Sequence, residues 1–149
     1  MNIVKRIDQY NEKYVYFCDS IKNNVMNEGN FIRILYSMNQ FSLNGIYLLF
    51  ELNDVYVEKY YNKYKCSFQI YSHKEVFDQL NKIEENLLKK ISLKHKIPQY
   101  KITEQLRNGH IKIFSDKPLK ENSNKYMLKI SGIWETELHY GVTYKFMMV

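Results

Sequence analysis

Ser72-His73-Lys74-Glu75-Val76-Phe77-Asp78-Gln79-Leu80-Asn81-Lys82-Ile83-Glu84-Glu85-Asn86-Leu87-Leu88-Lys89-Lys90-Ile91 is the stretch on which the fold turns. Val76, Leu80, Ile83, Leu87 and Ile91 recur at three- and four-residue spacing, and Phe77 and Leu88 widen the stripe. That period predicts an amphipathic helix of about five turns. Ser72 and Glu75 have the S-x-x-E spacing of a capping box. Glu85 and Lys89 stand four apart in the favourable order. Lys89, Lys90 and Lys94 crowd the end where the helix dipole favours cations, and Pro98 limits any continuation. The pair Glu84-Glu85 flanks the stripe and reads as a solvated face.

On either side of this helix the pattern is β. Phe31, Arg33, Leu35 and Ser37 alternate with Ile32, Ile34, Tyr36 and Met38. The residues from Asn39 to Gly45 carry a turn signal, Ile46 to Leu52 form a second strand, and Asn53-Asp54 marks another turn. A third β-prone stretch, Val55 to Tyr71, breaks near Tyr61-Asn62. Beyond the helix, Thr103-Glu104-Gln105-Leu106 suits one helical turn and Asn108-Gly109 a tight turn. Strands follow over His110 to Phe114, Lys125 to Thr136 and Tyr140 to Met147, the last two as a hairpin; Ser115 to Lys125 is a polar loop. Ahead of all this, residues 1–30 read as an N-terminal extension, with a short edge strand at Tyr14 to Phe17 and a loop from Lys22 to Asn30.

The result is one domain of 149 residues, with a core from residue 31 onward. It is mainly β with one central helix, in the order β-β-β-α-β-β plus a C-terminal strand. That order fits a five-stranded OB-fold barrel. It also fits an α+β sandwich with the helix on one face of an open sheet.

Composition narrows the function. The net charge is +6, which permits a polyanionic partner without demanding one. Aromatics make up 15% of the chain, and Tyr contributes 14 residues, an excess to which AT-rich coding also contributes. Cys18 and Cys66 are too few for a zinc site and form no C-x-x-C, which fits a reduced, intracellular setting. No apolar run approaches the roughly 18 residues of a membrane span. Charges at Lys5, Arg6 and Asp8 argue against a secretory leader. Phosphate-binding glycine loops, H-E-x-x-H and G-x-S-x-G are absent, and His73, His95, His110 and His139 are scattered. Glu135 and Glu137 share strand parity, but no third metal ligand accompanies them. Neither an enzyme nor a cofactor or metal is expected.

What remains is cations interleaved with aromatics, the pairing that binds single-stranded nucleic acid: cations follow the phosphates while flat rings stack on bases. The candidate cations are Arg33, Lys59, Lys63, Lys65, Lys112, Lys129 and Lys145. The candidate platforms are Tyr36, Tyr47, Tyr60, Tyr64, Phe114, Trp134 and Tyr144. Core packing competes for each ring, and Phe31, Phe50, Phe68 and Phe146 are assigned to the core. The run Lys59-Tyr60-Tyr61-Asn62-Lys63-Tyr64-Lys65 is hard to bury. Trp134 is either a core anchor or a stacking platform. Gly132 marks a bulge or a close backbone approach.

Three blocks carry a resemblance. They are Pro98 to Phe114, Leu128-Lys129-Ile130-Ser131-Gly132-Ile133-Trp134-Glu135-Thr136, and Tyr140-Gly141-Val142-Thr143-Tyr144-Lys145-Phe146. Together they resemble the C-terminal blocks of OB-fold single-stranded-DNA-binding proteins of large DNA viruses and related mobile elements. The resemblance implies an OB-like fold and sequence-independent binding and protection of single-stranded DNA, or RNA, during replication. It implies a host-nuclear or cytoplasmic replication site, with homo-oligomers and replication proteins as further partners. Many such proteins end in an acidic recruiting tail. This chain ends Lys145-Phe146-Met147-Met148-Val149, so recruitment through a tail is not expected. That apolar end and the two-faced strands also suit a different role, a viral structural or adaptor protein that oligomerises or binds a protein.

Overall fold

The structure, a computed structural model, describes residues 5–22, 29–38, 41–115, 119 and 124–149. In chain order its elements are β1 (Lys5–Arg6), β2 (Val15–Lys22), β3 (Asn30–Met38), β4 (Phe41–Asn44), β5 (Ile46–Glu51), β6 (Tyr56–Tyr60) and β7 (Lys63–Ser67). There follow α1 (Lys74–Ile91), β8 (Ile97–Gln99), α2 (Lys101–Arg107), β9 (His110–Phe114), β10 (Lys125–Glu135) and β11 (His139–Met148). The architecture is mainly β with one long helix.

β10 organises the sheet because its length lets two partners share one edge. Lys125 to Ile130 pair antiparallel with β5, and Gly132 to Glu135 pair antiparallel with β3. Its other edge pairs with β11 throughout. From there the path runs β11, β9, β7, β6, with β9 parallel to β11. The ladder of β10 shifts between Ile130 and Gly132, which is the expected bulge. A Cβ at Gly132 would lie 2.3 Å from the Ile32 carbonyl oxygen and 2.6 Å from the Phe31 ring. Gly132→Ala is therefore expected to lower stability by about 1–3 kcal/mol through overpacking, read as a lower urea midpoint with an unchanged slope.

β4 runs through Gly45, at φ +100, into β5. The stretch expected to be a turn thus contains a strand, because Phe41 to Asn44 pair back on β3. Residues 39–40 lie outside the described set, as do most of the expected loops at 22–30 and 115–125. The described part of the expected N-terminal extension packs into the domain, with strands on either side of two 3-10 turns at Ile7–Gln9 and Glu12–Tyr14. β2 pairs with β3, β1 pairs parallel with β5, Ile7 is buried, and the Lys90 ammonium donates to the Glu12 carbonyl.

The stripe of α1 packs on one face of the sheet through Phe77, Leu80, Ile83, Leu87 and Leu88, and Ile102 and Leu106 of α2 join it. Opposite them lie Leu48, Phe50, Cys66, Ile111, Ile113, Tyr126, Leu128, Ile130 and Phe146. The sheet curls around this core. Tyr126 of β10 feels the Cys66 thiol of β7, although β11 and β9 intervene in the strand order. Among the described residues no ladder joins β6 to β4 or β5, and the sheet is open and mixed.

The start of α1 differs from the expected capping box. Ser72 lies in a 3-10 turn, and the N-cap is His73, with no side-chain cap bond. His73 is buried instead. Its Nδ1 approaches the Gln69 carbonyl at 2.7 Å, and its Nε2 accepts the Asn53 N–H at 2.9 Å, a pattern that fits the Nδ1–H tautomer. The expected Glu85–Lys89 pair forms at 2.8 Å. The helix ends at Ser92, in a left-handed conformation at φ +42, whose N–H returns to the Leu88 carbonyl.

Candidate nucleic-acid interface

Strand register decides which candidates meet. Directly opposed residues share a sheet face, and successive residues alternate faces. Tyr47 opposes Lys129, and Lys129 opposes Lys145. β11 pairs parallel with β9 at Phe146 and Ile113, which places Lys145 beside Lys112 and Met147 beside Phe114. Lys112 opposes Lys65, which opposes Glu58, and Phe114 opposes Lys63, which opposes Tyr60. Two adjacent rows result. One runs Tyr47, Lys129, Lys145, Lys112, Lys65, Glu58. The other runs Leu49, Met127, Met147, Phe114, Lys63, Tyr60.

Beyond the bulge the same face continues with Arg33, opposed to Gly132, and with Trp134, opposed to Gly141. The indole covers Gly141, where a Cβ would meet the ring at 2.7 Å. Ten of the fourteen candidates thus share one face, although they come from seven strands. The helices occupy the other face, and the core residues of these strands point toward them by parity. Phe114 is 66% exposed and Tyr60 45% exposed. A shallow groove of about 200 Å³ is lined by Tyr60, Lys63, Lys65 and Lys112, and reaches Tyr64 between the two β7 lysines although that residue is nearly buried.

The electrostatics of this face are unusual for a sheet. Like charges directly opposite one another are destabilising. Here Lys129 opposes Lys145, Lys65 opposes Lys112, and the two pairs adjoin. Among the described residues none of these lysines, nor Lys63 or Arg33, forms an ion pair. The Lys129 ammonium lies 5.5 Å from the centre of the Tyr47 ring. Glu58 closes the row on β6 and accepts the Tyr60 hydroxyl at 2.9 Å. That bond raises the Tyr60 pKa, helped by the Glu58 charge.

Four candidates fall on the opposite face. Tyr36 is 3% exposed, between Tyr10 and Tyr14, and its hydroxyl accepts the Asn11 N–H. Tyr64 is 6% exposed; it faces away from Lys63 and Lys65 and shares its parity with the buried Cys66. These two are corrected from stacking platforms to core residues. Tyr144 lies edge-on to Phe146, and its hydroxyl donates to the Lys101 carbonyl of α2. Burial, with Glu84 and Glu104 nearby, pushes it up to about 12. Lys59 sits over the Tyr64 ring on that side.

Two carboxylates expected to be solvated or to hold a cation have other roles. Glu84 is fully buried. It accepts the N–H of Ile102 at 2.8 Å, and the N–H and hydroxyl of Thr103 at 2.9 and 2.7 Å. It therefore caps α2, whose own N-cap, Tyr100, has no side chain for the task. Glu135 and Glu137 do not converge: Glu137 is exposed, and Glu135 is buried against Lys96 at 2.8 Å, with Ser20 and Asn30 donating to its other oxygen. Among the described residues no group of His, Cys, Asp or Glu could hold a metal ion, and no helix is long and apolar enough to cross a membrane. Burial raises the Cys66 thiol to about 11, which makes it an unreactive core residue at neutral pH.

Glu135 gives a pH prediction. Its hydrogen bond with Lys96, then those with Asn30 and Ser20, hold its carboxyl below the usual range against the cost of burial. A lowered folded pKa contributes stability above the unfolded value and loses it as pH falls through the folded one. Glu135→Gln is therefore expected to flatten the loss of stability below about pH 4.5, measured as urea midpoints across the acid range.

Comparison of the chain with protein-family models, with curated proteins and with solved structures finds no match in any of the three.

Proposed function

We propose that the helix-free face binds single-stranded nucleic acid, DNA in the first instance, without regard to sequence. The observation that carries this reading is the two directly opposed lysine pairs on four adjoining strands, flanked by exposed rings. Such a row is unfavourable until an external polyanion neutralises it. Single strands expose base faces as well as phosphates, and Tyr60, Phe114 and Tyr47 offer flat partners for them. The coarse architecture, a curled β-rich sheet with a helix on its concave core, supports an OB-like reading, and that reading is part of the proposal. So is the setting implied by the resemblance, coating and protecting strands during viral or mobile-element replication.

A mobility assay at low salt tests this. Single-stranded oligonucleotides are expected to be retarded at protein concentrations that leave a duplex of equal length free. Parallel lanes with single-stranded RNA rank the two sugars. Equal retardation of duplex, or retardation of neither, overturns the proposal. A second reading, a structural or adaptor protein, is favoured by half-buried Leu49, Met127 and Met147 on the same face. Its signature is self-association in sedimentation with no retardation of any nucleic acid.

A further inference from the structure

The turn between β6 and β7 holds a residue that its backbone does not favour. Tyr61 has φ +53, and Asn62, the other central residue, does not have a positive φ. A positive φ at the first central residue alone is the sign pattern of a II′ hairpin turn, where glycine is preferred. A tyrosine there carries strain that glycine avoids. Its ring recovers nothing from packing, because Tyr61 is 96% exposed. The tip is nevertheless fixed in place: the Asn62 carbonyl accepts the Ser115 N–H at 3.1 Å, next to Phe114. Two exposed rings, Tyr60 and Phe114, oppose Lys63 on the neighbouring strands, and the exposed Tyr61 begins the turn that joins Tyr60 to Lys63, at one end of the lysine row.

Packing does not offset the strain at so exposed a ring, whereas a ligand that engages the ring would. We propose that this hairpin tip is a base-stacking clamp: Tyr61, with Tyr60 and Phe114, takes unstacked nucleobases, while the lysine rows hold the phosphates. This rests on the reading of the face as a single-strand site and adds a division of labour within it. Selectivity for unpaired bases then resides at the tip, and the rows contribute a term blind to bases.

The test compares two oligomers of equal length, oligo-dT and an abasic deoxyribose-phosphate chain, by fluorescence anisotropy at fixed low salt. The proteins are wild type and Tyr61→Gly, with Phe114→Ser as an independent second variant. The wild type is expected to prefer oligo-dT. Tyr61→Gly is expected to weaken oligo-dT binding about tenfold and to leave the abasic oligomer unchanged. Its melting temperature is expected to rise by about 2–4 °C as strain is relieved, so lost affinity cannot come from unfolding. If wild type binds both oligomers equally, or both variants keep its preference for oligo-dT, the clamp is overturned while the lysine face stands. If wild type binds neither, the underlying reading of the face fails with it.

Discussion

Replacing Glu84 by alanine is expected to cost about 4 kcal/mol of folding stability, since two backbone N–H groups and a hydroxyl would be left in a buried site. Each unsatisfied buried group costs about 1–3 kcal/mol, and the vacated volume adds a cavity cost. Against a typical total of about 5–15 kcal/mol, this is enough to bring a marginal domain near its unfolding midpoint. The loss should concentrate at α2, because Glu84 supplies the cap that Tyr100 lacks. Glu84→Gln keeps the volume but turns one oxygen into a donor facing an N–H, so about 1–3 kcal/mol should be lost. Its pH signature is opposite to that of Glu135. Burial raises the Glu84 pKa and outweighs the bonds from Thr103 and Ile102, which pull it down. A raised folded value gives stability that is present below the unfolded pKa and lost as pH rises through the folded one. Glu84→Gln should therefore remove a gain at low pH. Urea denaturation from pH 3 to 7 reads both substitutions.

Reversing one lysine in each opposed pair, Lys112→Glu with Lys129→Glu, should separate binding from folding. Two phosphate contacts are lost, and two carboxylates then repel the backbone. Oligo-dT affinity in about 50 mM salt is expected to fall 100-fold or more, with the log–log salt slope shallower by about 1.4 for two lost contacts. Stability should move the other way. Lys65 and Lys145 would each then face a carboxylate, replacing repulsion by attraction at about 0.2–1 kcal/mol per pair. A protein that melts higher and binds far less well marks residues retained for a ligand. A parallel fall in both would mark the lysines as structural.

The strands of the second half were legible because alternation sets their parity. Ile111 and Ile113 face the core, so Lys112 and Phe114 face away from it, and this reads directly from the sequence. The same argument assigns Tyr64 with Cys66 to the core, yet the lysines around Tyr64 suggested exposure. Charge at neighbouring positions says nothing about a residue on the opposite face. What parity cannot supply is register. Lys145 and Lys112 are 33 positions apart and become neighbours only because β11 and β9 run parallel at Phe146 and Ile113. The expected barrel followed from element order alone, which does not specify whether the edge strands meet. β4 was missed because a Gly45 bend reads as a turn, although the chain on both sides stays extended. Glu84 did leave a trace. It lies four residues from both Leu80 and Leu88, on the stripe rather than beside it, and α2 begins with no Ser, Thr, Asp or Asn to cap it.

The central claim, that the helix-free lysine face is a single-strand interface, is tested most directly by titrating the whole chain with oligo-dT over a series of salt concentrations. With the four opposed lysines each neutralising a phosphate, the slope of log affinity against log salt is expected near −3, from about −0.7 per phosphate. Failure to bind at low salt, or an affinity indifferent to salt, would contradict it.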